Sequence, residues 1–421
     1  MPSRLPQHIV GFMRRGETGG NPAHLDHFGL AEWQRALPWL DSSGLALHFL
    51  HKLETLDAES VLPCSVRARL QRNFADNAQR NAALAEEMRA IHAHFEARTV
   101  NFAVLKGYSL IPEYCSMPAL RHQCDLDYLV AQDHLSSATH GLRALGYVRV
   151  RKSPGTFTFS RSIGHLPGRG EIYKPGLNVS VELHTSLWDN NDVAVLESLP
   201  QVLARRRMHQ ACGLVFPALA REDLFIHQCM HVLSHILQFW IRLSWLYEIA
   251  TFLSAARTDS RFWRAVDGRI GDASYIARAV GFVASLAAEV FGGEPLPAWS
   301  DIPDPLRLWV SQYGLPWAMH DLPGSKLSLF IFREFMNEEQ WRDLARRRLF
   351  PFHRPHSATQ VSDLHPRRSL RAHFAESRYA GQRFIFHCRE AWHYFRERPR
   401  WRRLLARSES MSRESLEAVL R

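Results

Sequence analysis

The run Arg121-His122-Gln123-Cys124-Asp125-Leu126-Asp127-Tyr128-Leu129-Val130 constrains the fold more than any other stretch of the chain. As a strand it turns successive side chains to opposite faces, so Asp125 and Asp127 share one face about 7 Å apart while Leu126 points into a core. Strands are poor in Asp, and two of them at the head of an apolar run ending at Val130 work against β-propensity. A hard divalent cation supplies a reason, because it takes oxygen ligands and, for Mg²⁺, shares an octahedral site with substrate phosphates. The other reading is a solvated edge strand or turn, since Asp-x-Asp is a common spacing.

The flanking sequence adds chemistry on both sides. Val100 to Leu105 is a short apolar run that reads as a buried strand, followed by Lys106-Gly107-Tyr108-Ser109-Leu110-Ile111, which reads as a tight turn and helix start. Gly107 permits close backbone approach and Ser109 offers a hydroxyl, while N–H groups at a helix start attract an anion. Alternatively, the glycine only turns the chain. After Val130 a helix is expected, with Asp133 as its N-cap and its end at Gly146. Two alternating runs follow, Phe157 to Ser160 and Leu177 to His184. In the second, Leu177, Val179, Val181 and Leu183 form one face, and Ser180, Glu182 and His184 the other. Glu182 would then supply a third carboxylate, as a two-cation site with ions about 4 Å apart requires.

The remainder reads as helical. With 421 residues, 46% of them hydrophobic, the chain is long enough for two or three units. Met1 to His24 is rich in Pro, Gly and Arg and is expected to be loosely held, with folding proper from Leu25. Helical periodicity runs to about Ala97, including an amphipathic helix over roughly Val66 to Ala97. The N-terminus carries no charged-then-apolar leader pattern, so a cytoplasmic location is expected. The six cysteines lack a C-x-x-C pair, which argues against a disulfide framework or zinc ribbon.

Eighteen residues from Leu224 to Ile241 contain no Asp, Glu, Lys or Arg, yet His227, His231 and His235 lie among them and Arg242 follows. A buried helix fits better than a membrane span. Its three histidines recur on one face as core residues, walls of a substrate cleft, or zinc ligands.

Net charge is +10, and the region from Trp341 holds 19 arginines, no lysine and eight acids, leaving the first 340 residues close to neutral. Arginine forks suit phosphate oxygens, and Phe384, Phe386, Trp392, Tyr394, Phe395 and Trp401 interleave them. Such a segment either binds RNA or another polyanion, or packs its aromatics inward and pairs its arginines with acids.

Taken together, Lys106-Gly107-Tyr108-Ser109-Leu110, Arg121 with Asp125-Leu126-Asp127-Tyr128-Leu129-Val130, Leu145-Gly146-Tyr147, His165-Leu166-Pro167 and Val181-Glu182-Leu183-His184 resemble the uncharacterised nucleotidyltransferase family of bacteria. That family belongs to the polymerase-β-like nucleotidyltransferase superfamily. The resemblance continues through Arg221-Glu222-Asp223-Leu224 and Arg242 to Ala250, and covers roughly Leu25 to Val290. It implies that Gly107 and Ser109 hold a triphosphate, that Asp125 and Asp127 bind Mg²⁺, and that Glu182 assists activation of the acceptor. Lys106, Arg121, His184 and His231 are the further nucleotide-binding candidates it points to. One departure is Tyr108, where the superfamily often has a small residue, and a narrowed phosphate pocket is expected from it.

The expected fold is α+β, with a small mixed sheet forming a nucleotidyltransferase core over 100–200. The N-terminal segment, 25–99, is helical. A larger helical region, 201–340, closes the cleft, and an arginine-rich region occupies 341–421. The expected function is Mg²⁺-dependent transfer of a nucleoside monophosphate from an NTP to a hydroxyl acceptor, with Asp125, Asp127 and Glu182 as catalytic and metal residues around one or two ions. The acceptor is an RNA end, a peptide or protein, or a small metabolite, with no membrane involved. The alternatives are a non-catalytic nucleotide- or RNA-binding protein on the same fold, and a helical scaffold with an incidental acidic strand.

Overall fold

The computed structural model describes residues 4–15, 20–153, 155–161, 171–176, 179–188, 199–271, 274–293, 302–320, 324–350 and 370–419. The described residues fall into two compact units, one within 1–191, 195–234 and 241–302, the other within 235–240 and 303–421. Among them, no helix is long and apolar enough to cross a membrane.

The first unit is built on a seven-stranded mixed sheet: β1 (Phe102–Val104), β2 (Asp125–Val130), β3 (Val148–Ser153), β4 (Thr156–Ser160), β5 (Ser180–His184), β6 (Arg207–Ala211) and β7 (Leu214–Ala218), in the order β3-β4-β5-β2-β1-β7-β6. The fold is therefore α+β, as the alternating runs between helical stretches predict. The acidic run forms β2, an interior strand and not an edge: it pairs antiparallel with β1 and parallel with β5. The sequence reading did not identify the strand β3, whose alternating Val148-Arg149-Val150-Arg151 is exposed on both faces, or the hairpin β6–β7.

Helices α1 (Leu5–Met13), α2 (Leu30–Ser43), α3 (Ala46–Thr55) and α4 (Cys64–Glu96) precede the sheet; α5 (Leu135–Ala144) follows β2. The start of α5 differs from expectation, because Asp133 lies in a preceding 3-10 turn and His134 occupies the N-cap. The apolar stretch after Ala220 is two helices, α6 (Arg221–Leu237) and α7 (Leu243–Ala256), interrupted at Phe239, whose φ is +69°. Helices α8 (Ser260–Ile270) and α9 (Ser274–Phe291) complete the series to residue 291.

The sheet has a dry face and a polar one. On the dry side Tyr128 meets His92 and Phe95 of α4 and Phe102 of β1 at ring-centroid distances of 5.6, 5.5 and 5.9 Å, with Val181 and Leu183 fully buried beside it. Strict alternation then sends Asp125, Asp127, Glu182 and His184 to the opposite face. Burying these rings and aliphatic side chains contributes roughly 1.5–3 kcal/mol each, which pins the register, since a one-residue slip would drive the acids into the apolar face.

Helix α4 departs from the simple amphipathic pattern. Asn73, Asn77, Arg80 and Asn81 are all buried. Asn77 Nδ2 donates to the carbonyls of Ala119 and Arg121 at 2.7 and 3.0 Å, and Arg80 donates to the Gln123 carbonyl through Nε and Nη2 at 3.1 and 3.0 Å. Buried backbone carbonyls need such partners. These side chains thus fix the irregular segment that delivers the chain into β2.

The second unit contains α10 (Asp304–Trp309), α11 (Leu315–Ala318), α12 (Glu338–Leu349) and the long α13 (Leu370–Val419). Helix α13 buries Phe386, Tyr394 and Trp401, and Phe330 stacks on the latter two at 4.8 and 5.3 Å.

Candidate functional site

The polar face of β2 and β5 gathers a charged cluster. Parallel pairing sets Asp127 opposite Glu182 and Asp125 opposite Ser180. His184 Nε2 lies 3.1 Å from Asp127 Oδ1 and 3.5 Å from Glu182 Oε2, and Lys106 Nζ donates to Asp127 Oδ1 at 3.2 Å. From β4, Thr158 Oγ1 donates to Glu182 Oε1 at 3.2 Å, and Thr156 Oγ1 meets His184 Nδ1 at 3.2 Å. One donor atom from each of Asp127, Glu182 and His184 lies within 4.8 Å of the others.

Electrostatics separates the two aspartates. Burial would raise Asp127, but Lys106 and His184 outweigh it and hold its carboxyl well below the usual carboxylate range. Asp125 lacks such direct partners, and burial, then the Asp127 charge, push it up to about 6. Burial likewise works against the His184 cation, yet its hydrogen bonds to Asp127 and Glu182 carry it up to about 9. Lys106 is held above its ordinary value because Asp127, Asp125 and Glu182 overcome its burial. At neutral pH two cations, Lys106 and His184, thus face the acidic cluster.

The glycine turn lies beside this cluster. Gly107 has φ +65°, and a Cβ there would come within 2.3 Å of Gln123 Nε2. That amide donates to the Asp125 carbonyl at 2.9 Å, so the turn and the first strand aspartate are braced through one side chain. Ser109 Oγ donates to the Lys106 carbonyl at 3.4 Å. Tyr108 is buried, and its hydroxyl donates to the Asn81 carbonyl at 2.6 Å. The expected narrowing is therefore absent: the ring occupies the core beneath the turn.

The remaining candidates lie elsewhere. Arg121 Nε donates to Glu248 Oε1 at 2.7 Å, a buried pair linking the approach to β2 with α7. His231 packs edge-on against Trp245 at 4.9 Å. Among the described residues, His227, His231 and His235 do not assemble as a metal-ligand set.

Two further residues lie near the cluster: His227, which the sequence offered as a core residue, cleft wall or zinc ligand, and Arg242. His227 is buried, and burial together with the Lys106 and His184 charges pushes it down to about 3, so it is neutral. Arg242, at the N-cap of α7, hydrogen-bonds the Cys124 side chain and favours the ionised form of Asp125. In the sequence Arg242 closes an acid-free apolar stretch and opens the last segment of the family resemblance, and neither signal ties it to the aspartates.

Asp127, Glu182 and His184 thus come together from two neighbouring parallel strands of a mixed sheet, with Asp125 on the same face and a lysine and a glycine turn beside them, a set of side chains that could hold a cation. The chain belongs to the uncharacterised nucleotidyltransferase family, whose model matches residues 30–292, more than half its length. No curated protein and no solved structure matches the chain.

Proposed function

We propose that this protein transfers a nucleoside monophosphate from an NTP to a hydroxyl acceptor, releasing pyrophosphate, with Mg²⁺ as the metal. The observation that carries the reading is the strand register that sets Asp127 against Glu182, with Asp125 two residues away on the same face. The donor set fits a hard cation, because Asp127 and Glu182 bring carboxylate oxygens together from paired strands with Asp125 on the same face, and such a cation takes oxygen ligands. Asp125, Asp127 and Glu182 would hold the ion. When bound, Mg²⁺ stabilises negative charge on the triphosphate and on the departing pyrophosphate.

The chain's own groups do the rest. Lys106, whose Nζ lies 3.2 Å from Asp127, would offer its positive charge to phosphate oxygens, and Arg242 would add a second. Glu182 accepts the proton of the acceptor hydroxyl; the oxygen–Pα bond forms as the bond from Pα to the bridging oxygen of pyrophosphate breaks. Thr158 orients Glu182 for this role. His184 helps to keep Asp127 ionised and hydrogen-bonds Glu182, and neutral His227 lines the buried side without adding charge.

The second reading, binding without turnover, is favoured by the pairing of Asp127 with Lys106 and His184 inside the chain. Mg²⁺-dependent pyrophosphate release separates the two: transfer releases it and is lost on Asp127→Asn, whereas binding releases none.

A further inference from the structure

Helix α13 carries a surface that the carboxylate site does not use. Its buried side is marked by Phe386, Glu390, Tyr394 and Trp401, spaced four, four and seven residues apart. Glu390 pairs with His320 at 3.4 Å, and Glu397 accepts from the Tyr313 hydroxyl at 3.1 Å, so both acids are engaged on that side. At 100° per residue the opposite face presents Ile385, Arg389, Trp392, Arg396, Arg403 and Arg407.

All six are solvent-facing, with Trp392 at 71% and Ile385 at 69% exposure. Between Ile385 and Arg407 no carboxylate lies on this face. Among the described residues Arg396, Arg403 and Arg407 form no ion pair, whereas Arg389 pairs with Glu390 at 3.8 Å and lies over the Phe386 ring at 5.7 Å. The stripe runs for about 33 Å along the helix axis.

The pattern selects among occupants. A second copy of the same face would set arginines against arginines. A helix that lies on a membrane segregates its apolar residues from its cations, whereas here the exposed Phe384, Ile385, Trp392 and Phe395 are interspersed along the helix with the exposed Arg389, Arg396, Arg402 and Arg403. Interleaved guanidinium groups and a bare indole match a flexible polyanion that also offers flat rings, since backbone phosphates take the arginines and bases stack on the aromatic. We infer that the exposed face of α13 binds single-stranded nucleic acid. This goes beyond the transfer reaction and does not depend on it.

The test is fluorescence anisotropy of a labelled 20-mer single-stranded RNA with the full chain, without NTP, over a range of salt. The unmutated protein should bind, with affinity falling steeply as salt rises. Arg389→Ala/Arg396→Ala/Arg403→Ala should weaken binding at least tenfold and flatten the salt slope by about 2. Trp392→Ala should weaken it about tenfold with the slope unchanged, because stacking releases no counterions. Thermal unfolding of the variants should match the parent, as these side chains are solvent-facing. Absence of binding would overturn the inference. So would a triple variant with the parent's slope, or preferential, stripe-dependent binding to phosphatidylserine vesicles instead of RNA.

Discussion

Asp127 and Glu182 are register partners on parallel strands β2 and β5, and His184 bridges their carboxylates from two residues further along β5. Asp125, on the same face, stands outside that bridge. The two aspartates should therefore respond oppositely to neutralisation. Without metal, Asp125→Asn should stabilise the protein by about 1–2 kcal/mol at pH 8, because it removes a carboxylate whose ionisation burial disfavours. Asp127→Asn should destabilise it by roughly 2–3 kcal/mol, because Lys106 and His184 lose their shared partner. Both should abolish transfer. Urea melts of the two variants in chelator check the sign of each change.

The same cluster fixes a pH dependence. The folded pKa of Asp125, about 6, lies above its unfolded value of 3.8, so its contribution is full below 3.8 and lost as pH rises through 6. His184, raised from 6.5 to about 9, contributes fully below 6.5 and loses that contribution as pH rises through 9. Metal-free protein should thus weaken steadily from pH 6.5 to 9, and His184→Gln should flatten that decline. Thermal transitions measured in chelator across this range provide the check.

Gly107→Ala should cost on the order of 1–3 kcal/mol, because it combines a left-handed backbone with a clash on Gln123. The displaced Gln123 would also release the Asp125 carbonyl. NTP affinity should fall with stability, and an NTP titration beside a thermal melt separates this variant from a merely unstable one.

Tyr108→Phe isolates the core role of its neighbour. Losing the hydroxyl's bond to the Asn81 carbonyl should cost about 1 kcal/mol while leaving turnover and NTP affinity unchanged. A large change in the KM for NTP would place the ring in the phosphate pocket instead.

What the sequence made legible follows from how local each signal is. Alternation in Leu126 to Val130 and in Val181 to His184 exposes both the strands and the face that carries the acids, because one side of each is fully apolar. The N-terminal brace was not legible. Asn77 and Arg80 read as the solvated side of a helix, whereas they donate to backbone carbonyls some forty residues onward that no periodicity reveals. Tyr108 read as an obstacle for the same reason: its direction is set by Asn81, which is remote in sequence. Strand β3, exposed along its length, offers no burial pattern to detect.

The most direct measurement is incubation of the purified protein with each α-labelled NTP, Mg²⁺ and a total RNA or cell-extract acceptor pool, beside the Asp125→Asn/Asp127→Asn variant. Nucleotidyl transfer predicts label in a product, and stoichiometric pyrophosphate, only with the unmutated protein. Bound nucleotide with neither labelled product nor pyrophosphate under any condition would contradict it.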